Sequence, residues 1–306
     1  MGLVTLRARL MKTKWTGTYT ALVTPFDRKG RVDEHALGKL IAAQIKGGVD
    51  GIVPVGTTGE SPTLSMEEHI RVIRRSVEFA NGKVKIMAGV GANSTDEAIE
   101  LTQGAEEVGA DGLLHVAPYY NKPSQEGLFQ HFHAVARITR LPVILYSVPS
   151  RCGIEIGVET MNRLVHDCPN IAGIKEAGGT PDRVSEIRHR MGKGFYILSG
   201  DDALTLPFMS VGACGVVSVA SNIIPKEVSR MVRAFEIGKP DVALKLHTKY
   251  YEVFKNLFIE SNPVPIKAAL TMTGVMGDEC RLPLVKISAG NKKILRKTLE
   301  SVGILK

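Results

Sequence analysis

The chain has 306 residues, 44% of them apolar and 23% charged, with a formal net charge of +8. That length suits one large barrel or two ordinary domains, and no apolar run approaches the roughly 18 residues of a membrane helix, which argues for a soluble protein. Arg7, Arg9, Lys12 and Lys14 supply half of the charge, and no basic run is interleaved with aromatics; the composition therefore argues against a nucleic-acid groove and for mild attraction of anionic substrates.

Residues 1–14 form a basic extension with no acidic side chain, no long apolar stretch and no small-residue cleavage site. It reads as a disordered N-terminal extension; a start at Met11 fits equally, and a short targeting segment is the alternative. The first apolar, β-branched run is TALVTPF from Thr20. Asp33 then stands ahead of EHALGKLIAAQIKGG as an N-cap, and Gly47-Gly48 closes that helix. GIVPVG from Gly51 is the second run and leads into GTTGES at 56–61. Ser65 follows, with Glu68 three residues later, which spells a capping box. VKIMAGVG from Val84 is the third run, and Ser94 precedes TDEAIELTQGAEEVGA with Glu97 in the same capping role.

GLLHVAPY from Gly112 ends in PYYN at 118–121, and PVILYSVP from Pro142 ends in YSVPSR at 146–151. IAGIKEA from Ile171 carries Lys175, FYILSGDD from Phe195 ends in SGDD at 199–202, and GVVSVAS from Gly215 completes eight runs. Near-continuous apolar runs mark strands buried on both faces, hence a parallel sheet. Eight strand–helix units in about 220 residues is the rhythm of an α/β protein of the (β/α)8 TIM barrel class. A doubly wound open sheet would place a glycine-rich phosphate turn after its first strand, where this chain has TPFDRKG. The expected division is a barrel over 15–237 and a C-terminal helical domain over 238–306. Helices are predicted at 239–261, 266–275 and 286–302, packed on the barrel or on a partner subunit.

Barrels present their chemistry at the C-terminal ends of the strands. Alternation puts Ile171, Gly173 and Lys175 on one face, taken as inward. A lysine there either reaches solvent and pairs with Glu176 or is a desolvated nucleophile. Desolvation would bring its amine from about 10.4 toward 7–8, at a cost of roughly 4 kcal/mol. Gly56-Thr57-Thr58-Gly59 offers backbone N–H groups and two hydroxyls to a small anion, or is an ordinary turn. Tyr119, Tyr120 and Tyr146 sit at strand ends, as packing aromatics or as proton carriers. Arg151 can grip a carboxylate or make a surface ion pair. Cys152, Cys168, Cys214 and Cys280 are widely separated without a C-x-x-C pair, as reduced thiols of a cytosolic protein would be. His131 and His133 lie two apart on a helix and point to different faces, so no metal site is expected.

GTTGE, YYN-P, Y-VPSR, GIKEA and SGDD, in that order, resemble the dihydrodipicolinate synthase/N-acetylneuraminate lyase family, and the resemblance runs from Gly17 to about Leu305. It implies a lyase that needs no cofactor: Lys175 forms a Schiff base with pyruvate, and Tyr146, Thr57 and Tyr120 relay protons, Tyr120 coming from the neighbouring subunit. Thr57 and Thr58 would bind the pyruvate carboxylate, Arg151 the carboxylate of L-aspartate 4-semialdehyde, and Gly200 and Val217 would line the pocket floor. The resemblance further implies a cytoplasmic homotetramer in lysine and diaminopimelate biosynthesis, inhibited by L-lysine at Ser61, His69, Asn93, Glu97 and Tyr119. Ser147 departs from the asparagine usual in the synthases, and its side chain is expected to alternate away from that of Tyr146. Another pyruvate-dependent class I aldolase of the same family is the alternative, as is a non-catalytic metabolite-sensing barrel; the latter is opposed by the completeness of the relay.

Overall fold

Eight strands form the centre of the computed structural model, which describes residues 14–306: β1 (Gly17–Ala21), β2 (Gly51–Val53), β3 (Lys85–Gly89), β4 (Gly112–Val116), β5 (Val143–Ser147), β6 (Ile171–Glu176), β7 (Tyr196–Ser199) and β8 (Gly215–Ser218). They pair in chain order, all parallel, and β8 returns to β1 to close the barrel. The TIM barrel expected from the eight runs is therefore present. The disordered-extension reading falls outside the described residues except at Lys14.

The strand-to-strand helices are α1 (Glu34–Gly47), α2 (Met66–Ala80), α3 (Thr95–Glu107), α4 (Gln125–Arg137), the short α5 (Pro149–Cys152), α6 (Val158–Asp167), α7 (Pro181–Met191), α8 (Thr205–Ser210) and α9 (Pro225–Glu236). Asp33 caps α1 by accepting from the Ala36 N–H, and Gly48 ends it in the left-handed region. Ser65 and Glu68 make both bonds of the capping box. Ser94 accepts from the Glu97 N–H, but the return bond from the exposed Glu97 is missing.

The first strand lies earlier than its apolar run suggests. The run from Thr20 predicts a strand there, yet β1 begins at Gly17 and the chain from Leu22 to Phe26 leaves the barrel wall. Thr18 and Thr20 conceal it: both are fully buried, and Thr20 Oγ1 donates to Gln44 Oε1 at 2.7 Å while accepting from Ser221 Oγ at 2.8 Å. Polar side chains satisfied inside a protein look like surface in a hydropathy reading. The second run yields only three strand residues, since Pro54 has no N–H for the ladder.

Three further helices follow: α10 (Pro240–Asn256), α11 (Val264–Met272) and α12 (Ala289–Ser301). α10 packs on α9 and α12, and α11 packs on α12 and on the turn Ala220–Asn222 that follows β8. The segment thus covers one side of the barrel mouth of its own chain. No helix among the described residues is long and apolar enough to cross a membrane.

Candidate active site

Lys175 is placed by the pairing of β5 with β6. A bulge shifts the register after Val143, which pairs with Ile171, so that Ile144 meets Gly173; pairing is then regular to Tyr146 opposite Lys175. Lys175 is 6% exposed, and its Nζ lies 4.0 Å from the centroid of the Tyr146 ring. Alternation sends Glu176 the other way. Its buried carboxylate accepts from Arg183 Nε at 3.0 Å, outside the barrel, and so is not the partner of Lys175. Gly200 abuts the lysine, since a Cβ there would stand 3.2 Å from Lys175 Cε. The glycine leaves room for the aminobutyl chain.

Burial is the main reason that the Lys175 amine falls to about 7; the positive field of Arg151 adds to it and Asp202 opposes it. Asp202 is a residue that sequence reasoning missed, although it lies within SGDD. It is buried beyond β7, accepts from Ser218 Oγ and from the backbone N–H groups of Val219 and Ala220 at 3.0 Å each, and is pushed up to about 6 by desolvation. The Tyr146 hydroxyl is raised to about 12 by burial, against the field of Arg151 and a hydrogen bond with Thr57. It carries its proton at neutral pH. The site therefore pairs a deprotonatable amine with a phenol that can donate.

Thr57 and Thr58 lie on a short 3₁₀ turn, Thr57–Gly59, beyond β2. Thr58 Oγ1 accepts from Asn262 Nδ2 at 2.9 Å, and Thr24 Oγ1 donates to the Gly59 carbonyl at 2.7 Å. An open cleft of ≈ 750 Å³ runs over this turn, and its walls include Thr57, Tyr146, Arg151, Ser61 and Tyr119, with Leu114 and Val148 as apolar lining.

The single chain does not bring every predicted residue to that cleft. Lys175 lies behind the Tyr146 ring, and Thr58, Gly200 and Val217 are set back from the walls, Val217 being a buried β8 residue paired with Tyr19. Tyr120 is 90% exposed at a left-handed backbone position (φ 74) and does not line the cleft. Of the residues expected to hold lysine, Ser61 and Tyr119 face the cleft, and Glu97 is close enough to help raise the Tyr119 hydroxyl. His69 is buried with Nε2 2.7 Å from the Gly89 carbonyl, and burial lowers it to about 4, so its ring is neutral. Asn93 accepts at its backbone carbonyl from Asn121 Nδ2 at 2.8 Å. Ser147 faces away from Tyr146, its Oγ accepting from the Ile156 N–H at 3.4 Å. Among the described residues no group of three or more His, Cys, Asp or Glu side chains has the arrangement of a metal site.

Residues 14–302 match the model of the dihydrodipicolinate synthetase family. The chain is 51% identical over 291 residues to the 4-hydroxy-tetrahydrodipicolinate synthase of Sulfurihydrogenibium sp. (strain YO3AOP1), covering 95% of this chain and 99% of that one. Among solved structures it superposes on the 4-hydroxy-tetrahydrodipicolinate synthase of Methylacidiphilum fumariolicum SolV with a TM-score of 0.93 at 55% identity, over 94% and 96% of the two chains. It is similar too to the enzyme of Cyanidioschyzon merolae solved with lysine bound, with a TM-score of 0.92 at 43% identity over 95% and 99%.

Proposed function

This chain belongs to the dihydrodipicolinate synthetase family, and from that membership we propose that it is a lyase condensing pyruvate with L-aspartate 4-semialdehyde, the first committed step toward diaminopimelate and lysine. The observation that carries the reading is the buried amine of Lys175, lowered to about 7 and lying against Tyr146. An amine that is half deprotonated near neutrality, in a site that sheds water, is a nucleophile toward a ketone.

The Lys175 amine attacks the ketone carbon of pyruvate, and Tyr146 delivers the proton that lets the carbinolamine oxygen leave as water. Thr57 connects Tyr146 to the relay, and Tyr120 of a neighbouring subunit completes it; the exposure of Tyr120 in the single chain supports that origin. Thr57 and Thr58 receive the pyruvate carboxylate, while Gly200 and Val217 form the floor beneath. The protonated imine is the electron sink, so no external cofactor is needed: it acidifies the methyl group, and loss of a proton gives an enamine. The enamine carbon attacks the aldehyde, whose carboxylate Arg151 holds. The substrate's own amine then displaces Lys175, freeing the enzyme and closing a six-membered ring.

Borohydride reduction in the presence of pyruvate, followed by peptide mass mapping, tests the reading. A reduced adduct on the peptide carrying Lys175 is expected; labelling elsewhere, or none, overturns it. We also assign Ser61, His69, Asn93, Glu97 and Tyr119 to an inhibitory L-lysine site. Glu97 would pair with an ammonium, and Asn93 and Tyr119 would bond the carboxylate. Activity titrated with L-lysine should fall within the millimolar range, and a flat curve removes the assignment. A homotetramer built as a dimer of dimers, in a reducing cytoplasm that suits four free cysteines, completes the proposal.

A further inference from the structure

The turn proposed to receive the pyruvate carboxylate is held by a buried ionic contact with the C-terminal segment. Glu60, the residue after Gly59, occupies the left-handed backbone region (φ 57, ψ 38) with its side chain wholly buried. One carboxylate oxygen, Oε1, meets Lys267 Nζ of α11, and Oε2 accepts from the Arg281 N–H at 3.0 Å. Lys267 is itself fully buried; it also donates to the Glu279 carbonyl at 2.9 Å and lies 4.2 Å above the Phe26 ring. The Arg281 guanidinium stands 4.5 Å from that ring and grips both oxygens of Glu68 at 2.6 and 2.7 Å. Beside this network Asn262 donates to Thr58 Oγ1.

Stability alone does not account for this arrangement. A well-packed apolar pair serves a core as well as a buried ion pair does, and glycine would relieve the strain of the left-handed position. What such a pair does impose is place: a buried charge that moves off its partner is left bare, so the two ends are fixed relative to each other. Here one end is three residues from Thr57, which bonds the Tyr146 hydroxyl, and the other belongs to a helix outside the barrel.

We infer that the C-terminal helical segment takes part in the reaction at a distance, with Glu60, Lys267 and Asn262 as positioning residues that hold the Thr57-Thr58 turn in the geometry that receives the pyruvate carboxylate. This rests on the pyruvate chemistry proposed above. The double variant Glu60→Gln/Lys267→Met removes both charges at nearly constant volume, and Asn262→Ala removes only the hydrogen bond to Thr58. In the double variant the KM for pyruvate should rise roughly ten- to hundredfold, the effect of a small misplacement of a binding group. The KM for the aldehyde, assigned to Arg151 on a different loop, should change by less than about twofold, because its binding contacts are untouched. Asn262→Ala should show the same selectivity at smaller size. Thermal unfolding of each variant fixes the folded fraction. A kcat reduced only in proportion to that fraction with the pyruvate KM unchanged, or both KM values rising together, overturns the inference. Wild-type protein separates the two failures: if it forms no borohydride-trapped adduct on Lys175, the catalytic reading falls; if it does and the variants keep its pyruvate KM, only the positioning role falls.

Discussion

The amine of Lys175 sets two opposed expectations, one for activity and one for stability. A value near 7 means that the lone pair disappears as pH falls through neutrality. The rate of borohydride trapping with pyruvate alone should therefore decline about tenfold per unit below pH 7. Arg151→Met removes a like charge, so the lysine would keep its proton to higher pH and the acid limb would move upward. A trapping rate that stays flat to pH 5, or an unmoved limb in the variant, contradicts this account. Bringing the amine from 10.5 to about 7 costs folding roughly 5 kcal/mol, at 1.36 kcal/mol per unit. The sign is that of a lowered base: between the two values the unfolded chain binds a proton that the folded chain does not, so the penalty grows as pH falls from 10.5 and is complete below 7. Lys175→Met should abolish turnover while raising the unfolding temperature, more at pH 7 than at pH 9.5. Equal stabilisation at both pH values, or none, would locate the cost elsewhere.

At the scale of elements, closure of the barrel depends on the approach of β8 to β1. A Cβ at Gly215 would fall 2.0 Å from the Gly17 carbonyl oxygen, and the other atoms it would crowd are also Gly17 backbone, which cannot turn aside. Gly215→Ala should cost at least about 2 kcal/mol, whereas Gly194→Ala, which would meet nothing within 4 Å, should be nearly silent. Urea unfolding of the pair checks this, and equal midpoints would show that the seam yields. The runs that became strands were legible because a sheet covered on both faces must be apolar throughout, as in Val143–Ser147. β1 was misplaced by three residues because Thr18 and Thr20 are polar groups buried beside Gln44 and Ser221, partners far apart in the chain. The capping box at Ser65 was legible for the opposite reason, that all of its atoms lie within four residues.

At the scale of the whole molecule, the proposed relay calls for more than one chain. Tyr120 is exposed and is not part of the cleft wall, to which Thr57 and Tyr146 belong. If a neighbour supplies it, Tyr120→Ala and Lys175→Ala proteins, each inactive alone, should complement when subunits are exchanged, restoring about a quarter of the sites in an equal mixture with two-fold pairing; no recovery would mean that each chain works by itself. The sequence by itself determined the barrel, the order of its strands and the short motifs at their C-terminal ends, because local hydrophobic pattern and turn chemistry depend on neighbours in the chain. Only the tertiary structure decided that Lys175 is dry and lies against Tyr146, that Asp202 acts on it, and that Glu60 is locked to Lys267 and Arg281, more than 200 residues away. Desolvation and charge pairing are properties of what surrounds a group in space, and the chain brings those surroundings together only when the ring of strands has closed.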